Sequence, residues 1–272
     1  MRALKHQYIL LTMAIGLLAA CSREGDELDA DKTGGPVPLS IAASIGEPIT
    51  RAAETSWAAD DQIGVFVTQR GVTTLFTDAN GLLAQNLKYT FNDGTNYETN
   101  GNIYRLFAPS RKIYLSSDPV DVYGYYPYRA QDNNSDGIDD LPPASIPIDI
   151  SDQTRQEKID FMRAKKSNVD NGNATIELLF QHRLVKLVFN LRQGDDLLPD
   201  ELNDASFLGM TIAGQPVAAT YNIYTDLFII TAGNNEIVPV RASSAPTGFV
   251  RTFEALVLPN GANNPAQDRT VT

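Results

Sequence analysis

The stretch "ATIELLFQHRLVKLVFNL", Ala174–Leu191, decides the fold class. Along an extended chain Ile176, Leu178, Phe180, His182, Leu184, Lys186, Val188 and Asn190 share one face. Leu179, Val185, Leu187, Phe189 and Leu191 fall mainly on the other. A period of two, rich in β-branched and aromatic residues, predicts a strand with apolar contacts on both sides.

Shorter alternations surround this run. Val37, Leu39, Ile41, Ala43 and Ile45 alternate with smaller or more polar residues. "DQIGVFV" (Asp61–Val67), "KYTF" (Lys88–Phe91), "RKIYL" (Arg111–Leu115) and "VDVYGYYPY" (Val120–Tyr128) follow, separated by Asn, Asp, Gly and Ser clusters. After Gly194 come "SFLGMTI" (Ser206–Ile212), "VAATYNIYT" (Val217–Thr225), "LFIIT" (Leu227–Thr231), "EIVPV" (Glu236–Val240) and "FEALVLP" (Phe253–Pro259). No segment sustains a helical period, and only "DLLPDELNDASFLG" (Asp196–Gly209) has room for a short helical turn. The chain is therefore predicted to be all-β, with a sandwich or barrel burying its two-faced strands.

Composition narrows the function classes. The 272 residues are 43% apolar and 20% charged, a globular balance. Acidic residues outnumber basic ones 33 to 22, for a net charge of -11, so nucleic-acid partners are disfavoured. Cys21 is the only cysteine, which excludes an intramolecular disulfide, a CxxC redox pair and a cysteine-rich zinc site. The two histidines are His6 and His182, and no Walker A, GxGxxG, HExxH or GxSxG element occurs. The chain reads as a non-enzyme.

The N-terminus carries an address. Arg2 and Lys5 precede the apolar run Tyr8–Ala20, the pattern of a secretory signal peptide over residues 1–20. Leu18-Ala19-Ala20-Cys21 is similar to the lipobox of bacterial lipoproteins, which implies that Cys21 is acylated and becomes the mature N-terminus. Residues 21–36, with Glu24, Asp26, Glu27, Asp29 and Asp31, read as an acidic solvated tether.

Four features invite chemistry, and each has a bland counterpart. "DNNSDGIDD" (Asp132–Asp140) fits the first half of a calcium loop, with Asp132, Asn134, Asp136 and Asp140 as oxygen ligands. Its twelfth position is Pro143 where a bidentate Glu belongs, so a polar hairpin tip is the alternative, and no cofactor is otherwise expected. Tyr125 and Tyr126 in "YGYYPY" could stack on a glycan, or pack on the two faces of one strand. His182 would need an orienting acid and a nucleophile to act as a base, and otherwise it is a sheet histidine. Arg51 in "GEPITRAAETSW" (Gly46–Trp57) is either a surface loop charge or a protease site ahead of Trp57, the sole tryptophan.

Taken together, the chain resembles the fimbrillin-like proteins of Bacteroidetes, the FimA/Mfa-type subunits of type V pili. The match rests on the lipobox with its tether, "TRAAETSWAADDQIGVFV" (Thr50–Val67), "IDFMRAKKSNV" (Ile159–Val169) and "IELLFQHRLVKLVFNL" (Ile176–Leu191). Within these, Trp57, Ile63-Gly64-Val65-Phe66, Asp160-Phe161-Met162 with Ala164, and Phe180, His182, Leu184, Lys186 and Leu187 fit the family's elements. "FEALVLP" looks like its late strand.

The resemblance implies two tandem transthyretin-like β-sandwiches, here over residues 52–194 and 195–272. It implies an outer-membrane lipoprotein of the cell surface and fimbrium, cut by a trypsin-like protease between Arg51 and Ala52. Loss of a removable strand over residues 37–51 would open a groove for a strand from another pilin subunit. The 78 residues of 195–272 carry five evident strands, fewer than the ~100 residues a seven-strand sandwich occupies, so the second sandwich reads as short or truncated. The alternative function is a surface lipoprotein that binds a glycan or a host or cell-surface partner and never polymerises.

Overall fold

The described residues, 34–46, 56–131, 139–194, 209–231, 234–259 and 270–271 of a computed structural model, form eighteen strands. The first seven are β1 (Val37–Pro38), β2 (Ser40–Ile45), β3 (Gln62–Gln69), β4 (Leu87–Thr99), β5 (Asn102–Pro109), β6 (Tyr114–Leu115) and β7 (Val120–Tyr126). Then come β8 (Ile146–Asp149), β9 (Met162–Val169), β10 (Thr175–His182) and β11 (Val185–Leu191). The last are β12 (Ile212–Pro216), β13 (Ala218–Asn222), β14 (Leu227–Ile230), β15 (Asn234–Ile237), β16 (Val240–Arg241), β17 (Arg251–Val257) and β18 (Thr270–Val271). A four-residue helix, α1 (Gln156–Ile159), follows a 3-10 turn at Gln153–Arg155. All strands belong to one unit, Pro36–Thr272, and Met1–Gly35 form a separate one. Cys21, Arg51, Ala52, Asp132, Asn134 and Asp136 lie outside the described residues, as does the signal segment 1–20.

Seven strands close into a barrel in the order β10-β2-β5-β4-β3-β7-β9. The all-β expectation holds, and where an open sandwich was one form of it, the short pairing of Gln181 with Arg163 and His182 with Met162 joins β10 to β9 and completes the ring. Three three-stranded sheets, β14-β13-β8, β11-β17-β16 and β15-β12-β18, make up the rest. Among the described residues seven strands follow position 194 where five were evident: "EIVPV" divides into β15 and β16, β18 lies at Thr270–Val271, and "SFLGMTI" meets a strand only at Ile212, the first residue of β12. β5, β8 and β9 also escaped the sequence reading.

Two apolar cores result. Ile41, Val65, Val122, Met162, Leu178 and Phe180 belong to the one inside the barrel. Phe66, Tyr125, Phe161, Tyr221, Ile237 and Leu256 belong to the other. Period-two alternation sends successive side chains of one strand to opposite faces, so Val65 enters the first core and Phe66 the second. Every residue of β7 is buried for the same reason.

The run Ala174–Leu191 is not one strand but two. β10 stays in the barrel, whereas β11 pairs along its length with β17, from Val185 on Val257 to Leu191 on Arg251. The break falls at Arg183–Leu184, where the Arg183 amide donates to Phe161 O at 2.8 Å and its guanidinium is drawn to Asp226 at 2.7 and 2.9 Å. Past the break Leu184 at the turn, and Leu187 and Phe189 on the opposite parity within β11, all serve the second core. Pairing also crosses Gly194, since β8 pairs with β13 and β11 with β17.

Gly64 has a packing role that its motif alone does not show. It stands opposite Tyr125 in the β3–β7 ladder, and a Cβ there would lie 2.0 Å from Cε1 of the Tyr125 ring. Both flanks are buried, so the ring has nowhere to go. Gly64→Ala should cost about 1–3 kcal/mol by overpacking, read as a lower urea midpoint.

Asp226 joins the pieces around this break. Its carboxylate takes the Arg183 fork, lies 3.5 Å from Arg163 Nη1 and accepts the Tyr221 hydroxyl. Burial works against its charge, but these donors outweigh it and hold its pKa below the ordinary 3.8. A carboxylate so depressed contributes stability above its unfolded pKa and loses it as the pH falls through the folded one. Asp226→Asn should therefore destabilise by about 1 kcal/mol at neutral pH, since part-exposure screens the charges. The gap from the parent chain should close in strong acid, which urea titrations across pH would reveal.

Candidate functional site: the strand that closes the barrel

β2 supplies the inward row Ile41, Ala43 and Ile45, with Leu39 just before it, all buried in the barrel core. Val37, the first residue of the predicted alternation, is instead 36% exposed and pairs with Leu115. On one side β2 runs parallel to β10 over six residue pairs, from Ser40 opposite Thr175 to Ile45 opposite Phe180. On the other it is antiparallel to β5, through Ile41 on Phe107, Ala42 on Leu106 and Ala43 on Arg105. Every other pairing among the described strands is antiparallel.

That single parallel pairing is informative. Antiparallel neighbours can share a hairpin, but β2 is joined to neither flanking strand by a short turn. Backbone bonds hold its ends: Leu39 to Ile113 O at 2.9 Å, Ser40 to Ala174 O at 2.9 Å and Gly46 to Phe180 O at 2.7 Å. Each large aliphatic side chain it buries adds about 1.5–3 kcal/mol. Without β2, both β5 and β10 would present unpaired edges above an uncovered apolar core.

Trp57 locks this strand from inside. Its indole Nε1 donates to Ala43 O at 3.0 Å, and its ring meets Phe107, Phe180 and Tyr126 edge-on at 5.1, 5.3 and 5.4 Å. The three partners come from β5, β10 and β7.

Beside the end of β2 a cavity of about 180 Å³ is lined by Ile45, Ser56, Trp57, Tyr126, His182 and Lys186, among others. His182 Nδ1 lies 2.9 Å from Asp160 Oδ2, although ring and carboxylate are not aligned for a hydrogen bond. Lys186 Nζ is 2.8 Å from Glu254 Oε2, and Lys158 Nζ 3.8 Å from the buried Asp61. The acid beside His182 is thus Asp160, which does not orient the ring through a hydrogen bond. Neither ring nitrogen is hydrogen-bonded to Ser56 or to any other described residue.

The proposed glycan platform is not presented to solvent. Tyr125 is fully buried, its hydroxyl donating to Asn86 Oδ1 at 2.7 Å and accepting from the Arg129 amide at 3.1 Å. Tyr126 is 5% exposed, with its hydroxyl 2.9 Å from Asp61 Oδ1. Both faces of β7 are covered, so these rings pack instead of stacking on a ligand. Of the calcium-loop residues, Asp140 is described, and its amide donates to Gln131 O at 2.5 Å. Among the described residues no group of three His, Cys, Asp or Glu is placed to hold a metal, and no helix is long and apolar enough to cross a membrane.

A fimbrillin-like profile matches residues 50–272. The chain belongs to the fimbrillin-like family. A candidate cell adhesion protein of Bacteroides uniformis is 27% identical, with a TM-score of 0.55 over 86% of this chain and 79% of that one. A second, from Bacteroides ovatus, shares the fold at 21% identity and a TM-score of 0.54, covering 83% and 79%. No curated protein matches the sequence.

The geometry explains why the fimbrillin-like motifs occur together. Asp160 meets His182, Phe161 enters the second core and Met162 the first, so "DFM" spans the barrel wall. Phe180 fills the barrel beside Trp57, while Leu184 and Leu187 serve the second core. Sequence reading missed Gln153, whose amide nitrogen donates to Ile150 O and Leu256 O and whose oxygen accepts from Leu256 N at 2.8 Å. A lone glutamine in a polar run carries no signal for such a role.

Trp57→Phe keeps the ring contacts but removes the bond to Ala43 O, and should lower stability by about 1–2 kcal/mol. Trp57→Ala should cost about 3–5 kcal/mol. Chemical denaturation followed by circular dichroism tests both.

Proposed function

We propose that this fimbrillin-like chain is a fimbrial or adhesive surface subunit in which β2 is a replaceable strand. The observation that carries this reading is β2 itself, paired on both sides yet joined to neither neighbour by a hairpin, and followed by a segment containing Arg51. Removing such a strand leaves a groove with two hungry backbone edges and an apolar floor, the condition for strand addition from another chain. A trypsin-like protease acting between Arg51 and Ala52 would separate residues 37–51 from the body. A strand from another pilin subunit would then replace Leu39, Ile41, Ala43 and Ile45.

Family membership and the likeness to the Bacteroides uniformis protein support a surface role. The lipobox-like Leu18–Cys21 supports export as an outer-membrane lipoprotein, and each acyl CH₂ on Cys21 would contribute about 0.8 kcal/mol of membrane binding. In this reading the barrel and the sheets beyond it are tandem transthyretin-like sandwiches. The role is structural rather than enzymatic.

Limited digestion of the full chain with an arginine-specific protease tests the proposal. The expected product begins at Ala52, loses the Trp57 fluorescence of the intact barrel once β2 departs, and regains it with a synthetic Leu39–Ile49 peptide. Cleavage only at Arg70 or Arg105, or a cut product that binds no strand peptide, would sink the idea. An Arg51→Gln chain should remain uncut and monomeric.

A further inference from the structure

"YGYYPY" contains a fourth tyrosine that does not share the fate of Tyr125 and Tyr126. Tyr128 is only half-buried and lines a cavity of about 310 Å³ with Gln85, Lys88, Ser110, Arg111 and Asp139. This volume lies at the lower end of small-ligand sites, which run from about 300 to 1,000 Å³. Tyr128 also lines an adjoining cavity of about 190 Å³, together with Arg129 and Lys158. The walls are anchored to strands: Lys88 sits in β4, Ser110 and Arg111 directly follow β5, and Tyr128 lies two residues past the end of β7. Ser110 N donates to Lys88 O at 2.8 Å, tying the end of β5 to β4, and Tyr128 N donates to Gln62 O at 2.9 Å, tying its segment to β3.

The charges in this cavity are unevenly satisfied. Asp139 is saturated by donors, taking the Tyr128 hydroxyl at 2.6 Å, Gln131 N at 3.1 Å and Leu141 N at 3.0 Å. Lys88 reaches the Tyr128 ring, with Nζ 5.8 Å from its centroid. Neither Lys88 nor Arg111 forms an ion pair among the described residues, whereas Lys158, Arg163, Lys165, Arg183 and Lys186 all do. Two cations against one carboxylate, Asp139, leave this cavity with an excess of positive charge on a protein of net charge -11.

We propose that this cavity binds an acidic sugar. Arg111 offers forked donors that match a carboxylate, with Lys88 as a second point charge. Gln85 and Ser110 supply the neutral polar groups that sugar hydroxyls require, and the Tyr128 ring supplies an apolar surface for sugar C–H groups. A bare phosphate would use the two cations and leave the ring and the amide idle. The neighbouring cavity past Tyr128 has room for a second sugar unit. The proposal is independent of strand exchange, because none of these residues lies on β2 or in its groove.

Saturation-transfer NMR on the full chain tests it, with glucuronate and glucose as the observed ligands and inorganic phosphate as a competitor against glucuronate. Glucuronate should bind, weaken as ionic strength rises, and lose about tenfold in affinity in both Arg111→Gln and Lys88→Gln. Glucose and phosphate should bind at least about tenfold more weakly than glucuronate. Tyr128→Leu should abolish saturation of the sugar ring protons. Unchanged circular dichroism of the variants establishes that they fold, and Arg111 is exposed, so its replacement leaves the core intact. No glucuronate binding at about 10 mM, binding indifferent to both cation substitutions, or equal binding of glucose or phosphate would overturn the proposal.

Discussion

The backbone ladder of β2 is the constraint on which the barrel depends. Six parallel pairs to β10 and three antiparallel pairs to β5 turn an open sheet into a closed one. Closure removes two edges and roofs the core in one step, so its contributions are cooperative. Trp57 reinforces that cooperativity, because it bonds the β2 backbone while touching rings from β5, β7 and β10. A strand held so completely by non-local contacts, and by no hairpin, is strong in place and separable in principle.

The second organising feature is a barrel wall with two faces. β3, β7 and the start of β9 send alternate residues into separate cores, so the wall belongs equally to the barrel and to the sheets outside it. Gly64 exists because the Tyr125 ring lies over its position, and Asp226 ties the Arg183 break to the β13–β14 turn. Polar groups at the seams are paired in the same spirit: Asp61 takes the Tyr126 hydroxyl and the Ala58 amide, and Gln153 clamps Leu256. The acidic surface and the compensated charges at the mouth of the barrel leave Lys88 and Arg111 as cations facing an open cavity.

Strand identity was legible wherever alternation was clean, as in β2, β3, β7, β10, β11 and β17. It was not legible in β5, where Phe107 enters the barrel core while Tyr104 stacks on Tyr97, among Asn102, Arg105 and exposed Ile103. Nor was it legible in β8, four residues long and carrying a proline. The tyrosine cluster shows the limit for sites. Sequence singled out a row of aromatic rings, and only the packing of neighbouring strands buried Tyr125 and Tyr126 while leaving Tyr128 beside a cavity.

By itself the sequence determined the all-β class, the apolar periodicity of its strands, the acidic charge and the family motifs, because these are local properties of composition and spacing. The tertiary structure alone decided that Ala174–Leu191 divides between two sheets and that β2 lies parallel to β10. It likewise decided that Asp160 meets His182. Those facts depend on contacts between residues far apart in the chain, and a period of two says which face a side chain takes without saying which core lies beyond it.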